Sequence, residues 1–124
     1  MSIAIVYSRA QEGVRASLVT VEVHHSNGLT ALSIVGLPET AVKESKDRVR
    51  SAIINSHFEF PLRRITINLA PADLPKDGGR FDLPIALGIL AASGQLPTAI
   101  LHQYEFVGEL ALNGTLRSIH GTLS

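Results

Sequence analysis

The sequence predicts an α+β fold in two layers, a sheet plus two helices, on three observations. Short stretches alternate apolar and polar residues with the period of two that marks a half-buried strand. Two longer stretches carry helical patterns, one amphipathic and one apolar on every side. Both must bury apolar surface, and a sheet face is what they have to bury it against. Read along the chain the order is β-β-β-α-β-α-β-β. No linker, repeat or low-complexity segment interrupts it, so residues 1–124 read as a single domain.

Ile3–Tyr7 is a short β-rich stretch, followed by a polar loop around Gln11–Gly13. In Leu18–His24, Val19, Val21 and Val23 point one way and Leu18, Thr20, Glu22 and His24 the other. Ser26-Asn27-Gly28 is a turn signal before the next strand, Leu29–Val35, so these two strands are expected to form a hairpin. Gly36-Leu37-Pro38 closes that strand and opens a helix, with Pro38 in the first turn where its missing N–H costs little. Val42, Ser45, Val49, Ala52, Ile53 and Ser56 then recur at helical spacing to about Ser56. Lys43, Glu44, Lys46, Asp47, Arg48 and Arg50 form its outer face, where Glu39–Lys43, Lys43–Asp47 and Glu44–Arg48 can pair.

Ile65–Leu69 is the next strand, delimited by Arg63-Arg64 and Pro71. Pro71–Gly79, with Pro71, Pro75, Gly78 and Gly79, cannot be regular structure. Asp82 stands where an N-cap belongs, and Leu83–Ser93 is a helix apolar all round that Gly94 stops. Phe106–Leu110, a tight turn at Asn113-Gly114, and Thr115–Ile119 make a hairpin. The chain reaches Ser124 without a terminating element, the expectation being a piece of a longer protein.

Composition narrows the function classes. Eleven basic against 11 acidic residues give zero net charge, unlike the strong basic excess of a stand-alone nucleic-acid binder. Without cysteine there is no disulfide scaffold, no thiolate zinc site and no thiol nucleophile. Met1–Ala10 lacks the basic stretch of a signal peptide. Leu83–Ala92, the longest apolar run, is about half a membrane span and contains Pro84 and Gly88. A cytoplasmic protein without a membrane partner is expected.

No phosphate-cradling P-loop, dinucleotide fingerprint or nucleophile elbow occurs, and the sequon Asn113-Gly114-Thr115 reads as a hairpin turn. His24 and His25 are adjacent on a strand and face opposite ways, and His57, His102 and His120 have no carboxylate at ligand spacing. No metal site is expected. Asp73, Asp77 and Asp82 cluster with Lys76 and Arg80 before the apolar helix. They can hold a general acid or an anion at the helix N-terminus, or simply cap and shape the turn, the reading favoured by the lack of a neighbouring nucleophile. Residues 43–64 hold six basic and three acidic residues, a local excess of +3. Lys43, Lys46 and Arg50 share one side of the helix, and Arg63 and Arg64 precede the next strand. Such a patch serves phosphate contact, docking onto an acidic neighbour, or plain solvation, the reading favoured by the acids interleaved with it.

Several strings in this chain are long enough to be specific. Gly36-Leu37-Pro38, Ala41 to Ser45, Asp47 to Arg50, Phe60-Pro61, Ile65 to Lys76, Gly78 to Gly88 and Gly108-Glu109-Leu110 resemble the N-terminal domain of the ComM/YifB family. The resemblance covers essentially the whole chain. It implies kinship with AAA+ ATPases related to the I subunit of magnesium chelatase, an ATPase module beyond residue 124, and ATP and magnesium for the full-length protein, with no cofactor in this domain. Family members are described as hexameric, ATP-driven DNA branch-migration helicases of natural transformation. The resemblance also implies a fold like the Lon protease domain and domain two of a small-subunit ribosomal protein.

Set against that Lon comparison, Pro75-Lys76-Asp77-Gly78 resembles the start of the loop that carries the nucleophilic serine. The serine position falls on Arg80, and the general-base lysine falls near Leu123; no lysine follows Lys76. The resemblance thus implies a non-catalytic module with no catalytic residues. It would contact DNA or a partner through Lys43, Lys46, Arg50, Arg63, Arg64, Lys76 and Arg80. The alternative is a chaperone-type assembly module that binds protein clients.

Overall fold

The computed structural model describes residues 2–74, 76 and 79–117. Pro75, Asp77 and Gly78 of the loop, the end of the expected last strand at Ser118 and Ile119, His120 and Leu123 lie outside the described residues.

Strands β1 (Ser2–Glu12), β2 (Arg15–Ser26), β3 (Ala31–Val35) and β4 (Arg64–Ala70) form a mixed sheet in the order β1-β2-β4-β3. Helix α1 (Glu39–Asn55) connects β3 to β4, which pair in parallel. Helix α2 (Asp82–Ala92) follows β4, and a small ladder of β5 (Glu109–Leu110) and β6 (Leu116–Arg117) comes last. The α+β class and the predicted order of strands and α-helices are what the structure has, with a short 3-10 helix, Ala99–Gln103, added between α2 and β5.

The expected hairpin between the second and third strands does not form. β2 pairs antiparallel with β1 on one side and β4 on the other, and β3 lies beyond β4. The hairpin is instead β1–β2, whose register runs unbroken from Ser2↔His25 to Glu12↔Arg15 about a turn at Gly13. Of the polar loop expected around Gln11–Gly13, Gln11 and Glu12 are strand and only the turn at Gly13 remains. Arg9 and Gln11 lie on the outer side, and Ser8, fully buried, donates its hydroxyl hydrogen bond to the carbonyl of Phe106 at 2.7 Å. That bond belongs to a strap beside β1, where Phe106 N–H also donates to Tyr7 O.

Both helices lie on one sheet face, and their apolar residues meet those of alternate strand positions: Val6, Val19, Val21, Val23, Ile65, Ile67 and Leu69 are buried. α2 lies close against β1 and β2 because Gly88 has no side chain; a Cβ there would stand 2.5 Å from Val23 Cγ2. Gly36, at φ 102°, turns β3 into α1 where a Cβ would strike Leu69 O at 2.3 Å. The expected all-round burial of α2 holds from Pro84 to Ala92, with Leu83 and Leu87 half-buried. The last turn is longer than a two-residue hairpin. Ala111–Thr115 closes through Ala111 N–H to Thr115 O, and Asn113 Oδ1 accepts from Thr115 N–H and Oγ.

Candidate functional site

Each helix ends in the same device, and it shapes the surface around the basic residues. At the end of α1, His57 N–H donates to Ile54 O and Phe58 N–H to Ile53 O, with His57 left-handed at φ 68°. This pair of bonds is a Schellman cap, satisfying carbonyls the helix leaves unpaired. α2 repeats it with Gly94 N–H to Ala91 O and Gln95 N–H to Leu90 O. The two caps are joined: Gln95 Oε1 accepts from Glu59 N–H at 2.9 Å, and Gln95 Nε2 donates to Glu59 O at 2.8 Å.

On α1, Ser45, Val49, Ala52 and Ile53 face the core. Lys43 and Arg50 are exposed and Lys46 half-exposed, on one side of the helix as their spacing demands. The Arg50 guanidinium stands over the Phe60 ring, 5.0 Å from its centre, a cation–π contact. Arg63 and Arg64 are exposed at the start of β4, where Arg64 pairs with Ala31. Arg63 donates to Asn27 Oδ1. In a parallel crossover the helix begins where β3 ends and returns to where β4 begins. Lys43 and the Arg63–Arg64 pair thus sit toward opposite ends of that unit, with Arg50 toward the end leading to β4. Burial, and then the Arg63 charge, hold His25 below its usual imidazole range.

Two residues of the basic set are placed differently. Lys76 is only 5 % exposed, its ammonium donating to Pro71 O at 2.6 Å and Leu74 O at 2.9 Å. Burial pushes it below the ordinary lysine range, with Asp73 pulling it back. It clasps its own loop. Arg80 is half-buried just before α2, its carbonyl accepting from Gly108 N–H.

Asp82 is the centre of the polar interior. It does not cap α2: Phe81 holds the N-cap position, and Asp82 is the first helical residue. Its carboxylate, 1 % exposed, accepts from Ser45 Oγ (2.8 Å), Arg48 Nε (2.6 Å), Arg48 Nη2 (3.3 Å) and Leu110 N–H (3.1 Å). Burial pushes the carboxyl up, and the Arg48, Ser45 and Leu110 hydrogen bonds pull it down. Asp82 in turn holds the Arg48 guanidinium above its ordinary value. With every donor in place, the ionised pair is the form this geometry holds. Arg48, expected on the outer face paired with Glu44, therefore spends its charge inward, and Glu44 is a second partner at 3.7 Å.

The described charged groups offer cations on the α1 side and at the start of β4, with a largely buried ion pair between α1, α2 and β5. Among the described residues no three His, Asp or Glu gather as metal ligands, and no helix is long and apolar enough to cross a membrane. Phe58 is not among the residues the sequence singled out, and Phe60 entered only through the string Phe60-Pro61. The signal available was two phenylalanines alternating with charge in Phe58-Glu59-Phe60-Pro61-Leu62-Arg63-Arg64.

Comparison with known proteins places the chain. Residues 21–124 match the family described as subunit ChlI of Mg-chelatase. The chain is 66 % identical to competence protein ComM of Haemophilus influenzae over 99 % of its length, and 64 % identical to YifB of Escherichia coli over all of it. It is 37 % identical to a Mycobacterium bovis protein over 99 % of its length. The chain spans 24 % of the length of each of these relatives. It belongs to the Mg-chelatase ChlI-subunit family, and within it to the ComM/YifB group.

Proposed function

We propose that this domain is the non-catalytic N-terminal module of a ComM/YifB-type AAA+ motor, and that it contacts DNA phosphates for the assembled protein. The observation that carries the reading is 66 % identity to competence protein ComM along essentially the whole chain. Exposed Lys43, Arg50, Arg63 and Arg64, with half-exposed Lys46, supply the charge. The finer fold assignment, a Lon-protease-like domain, belongs to the same proposal. Arg80 stands at the expected serine position, and a guanidinium neither deprotonates nor attacks. ATP and magnesium would act in the module beyond this domain, in a cytoplasmic hexamer driving branch migration.

Contact of this kind is electrostatic and carries no base readout. Binding of the full-length protein to a four-way DNA junction should therefore weaken steeply with salt, its logarithmic slope falling by about 0.9 for each duplex phosphate contact removed. Replacing Lys43, Arg50 and Arg63 together by Gln should reduce that slope by about 2–3, while Lys76→Gln leaves it unchanged. Binding that ignores salt, or survives the triple replacement with its slope intact, removes the proposal.

A further inference from the structure

We propose that the groove between the end of α1 and the 57–63 connection is a stacking subsite for single-stranded nucleic acid, with Phe58 as platform and Arg50 and Arg63 as phosphate contacts. The inference rests on the nucleic-acid reading above and adds to it a strand state and a place.

The groove has a volume of about 630 Å³ and is lined by Arg50, Ile54, Phe58, Glu59, Phe60 and Leu62 among others. That is within the roughly 300–1,000 Å³ of ligand clefts. Phe58 is 38 % exposed, Ile54 52 % and Leu62 82 %, so three apolar side chains around one groove are open to solvent. Phe58 is not a loose side chain on a loop. It is the residue whose N–H closes the Schellman cap onto Ile53 O, and the next residue is held by Gln95 through both of its backbone groups. The ring is thus offered from a backbone fixed on both sides, which lowers the ordering cost of binding.

Charge decides what the groove accepts. Residues 50–64 hold three arginines and a single carboxylate; Glu59 lines the groove with Arg50, and Arg63 and Arg64 stand beyond its lining. Arg50 is pinned over Phe60, and Arg63, directly after the lining residue Leu62, is steadied by Asn27. A purely apolar protein segment would strip water from these guanidiniums without returning an acceptor. A nucleic-acid strand brings both required parts, a flat apolar ring for Phe58 and phosphates one backbone step away. A duplex keeps its bases stacked on each other and cannot supply the ring.

The test uses full-length protein and fluorescence anisotropy with two labelled probes of equal length, an oligothymidylate and an abasic deoxyribose-phosphate chain, at low and high salt. The thymidylate should bind at least about fivefold tighter, the lower bound for one base on an aromatic ring. Phe58→Leu, which keeps apolar bulk but loses the flat face, should bring that ratio to about one, and Phe58→Tyr should keep it. Arg50→Gln should weaken both probes alike and flatten their salt dependence. A ratio near one for the parent protein, or one unmoved by Phe58→Leu, overturns the subsite. If junction binding stays salt-dependent in that case, the phosphate-contact reading survives alone. If no probe and no junction binds at low salt, both readings fall. Should Phe58→Leu change the assembly state in sedimentation while leaving the ratio intact, the groove is a contact between copies, and the stacking assignment is wrong.

Discussion

Asp82 carries the lesson of the residue scale. Its position at the start of a helix is legible in the sequence, because an acidic residue before an apolar run is a helix-start signal. What it bonds to is not legible, since Ser45, Arg48 and Leu110 are brought to it from 28 to 37 residues away. The same limit hides the inward turn of Arg48 and the burial of Lys76: a long cationic side chain reaches several ångströms either way from its backbone. Removing one partner of a buried pair strands the other, at about 3–5 kcal/mol when both are sealed. Arg48 keeps a fifth of its side chain in solvent, so Asp82→Asn should cost less, about 2–3 kcal/mol in urea unfolding. Arg48→Met combined with Asp82→Leu should recover part but not all of the loss of Arg48→Met alone, because Ser45 Oγ and Leu110 N–H still lose their acceptor. A loss below about 0.5 kcal/mol for Asp82→Asn would show that the pair does not hold the helices and β5 together.

At the scale of the element, the two helix ends compare a strong signal with a weak one. Gly94 is readable because glycine costs nothing in the left-handed region, and at φ 81° it stops α2 where expected. His57 takes the same place in the cap of α1 at φ 68°, where a side chain is strained, and histidine's modest enrichment there is a far weaker signal than glycine's. His57→Gly should therefore raise stability by about 0.5–1 kcal/mol, the relief of the left-handed strain less the greater unfolded freedom of glycine. Gly94→Ala should do the reverse. Unfolding midpoints in urea measure both, and destabilisation by His57→Gly would mean that the imidazole makes contacts outweighing its strain. The failed hairpin has the same physical origin. Ser26-Asn27-Gly28 makes a good turn, but a local signal does not weigh the seven-pair β2–β4 ladder, from Thr20↔Ala70 to Ser26↔Arg64, that displaces β3. The exit at Gly36 and the helix that follows, both readable, then carry the chain across to the parallel position.

For the whole molecule, the fold class follows from periods alone, since a sheet with helices on one face leaves few ways to bury two apolar helical stripes. The strap along β1 and the grouping of Phe58 with Arg50 were not readable, because both depend on segments joined only by the completed sheet and caps. The assembled charges also set how the domain responds to acid. His25 is held below its usual value, by burial first, so the unfolded chain takes up this proton before the folded one. Stability must then fall as pH drops below about 6.5. Glu105 is depressed by its hydrogen bond to Arg9, so its contribution, present at neutral pH, is lost as pH falls below about 4.5 through its folded value. The effect is small, because that pair is exposed. Asp82, raised by burial, has the opposite sign, its folded form taking the proton more readily, and it offsets part of the acid loss. Urea midpoints should accordingly decline in two steps, with His25→Gln removing the upper step and Glu105→Gln the lower. A midpoint constant from pH 7 to 5 in the parent, or a decline that His25→Gln leaves in place, would assign the upper step to groups other than this histidine on the β2 strand.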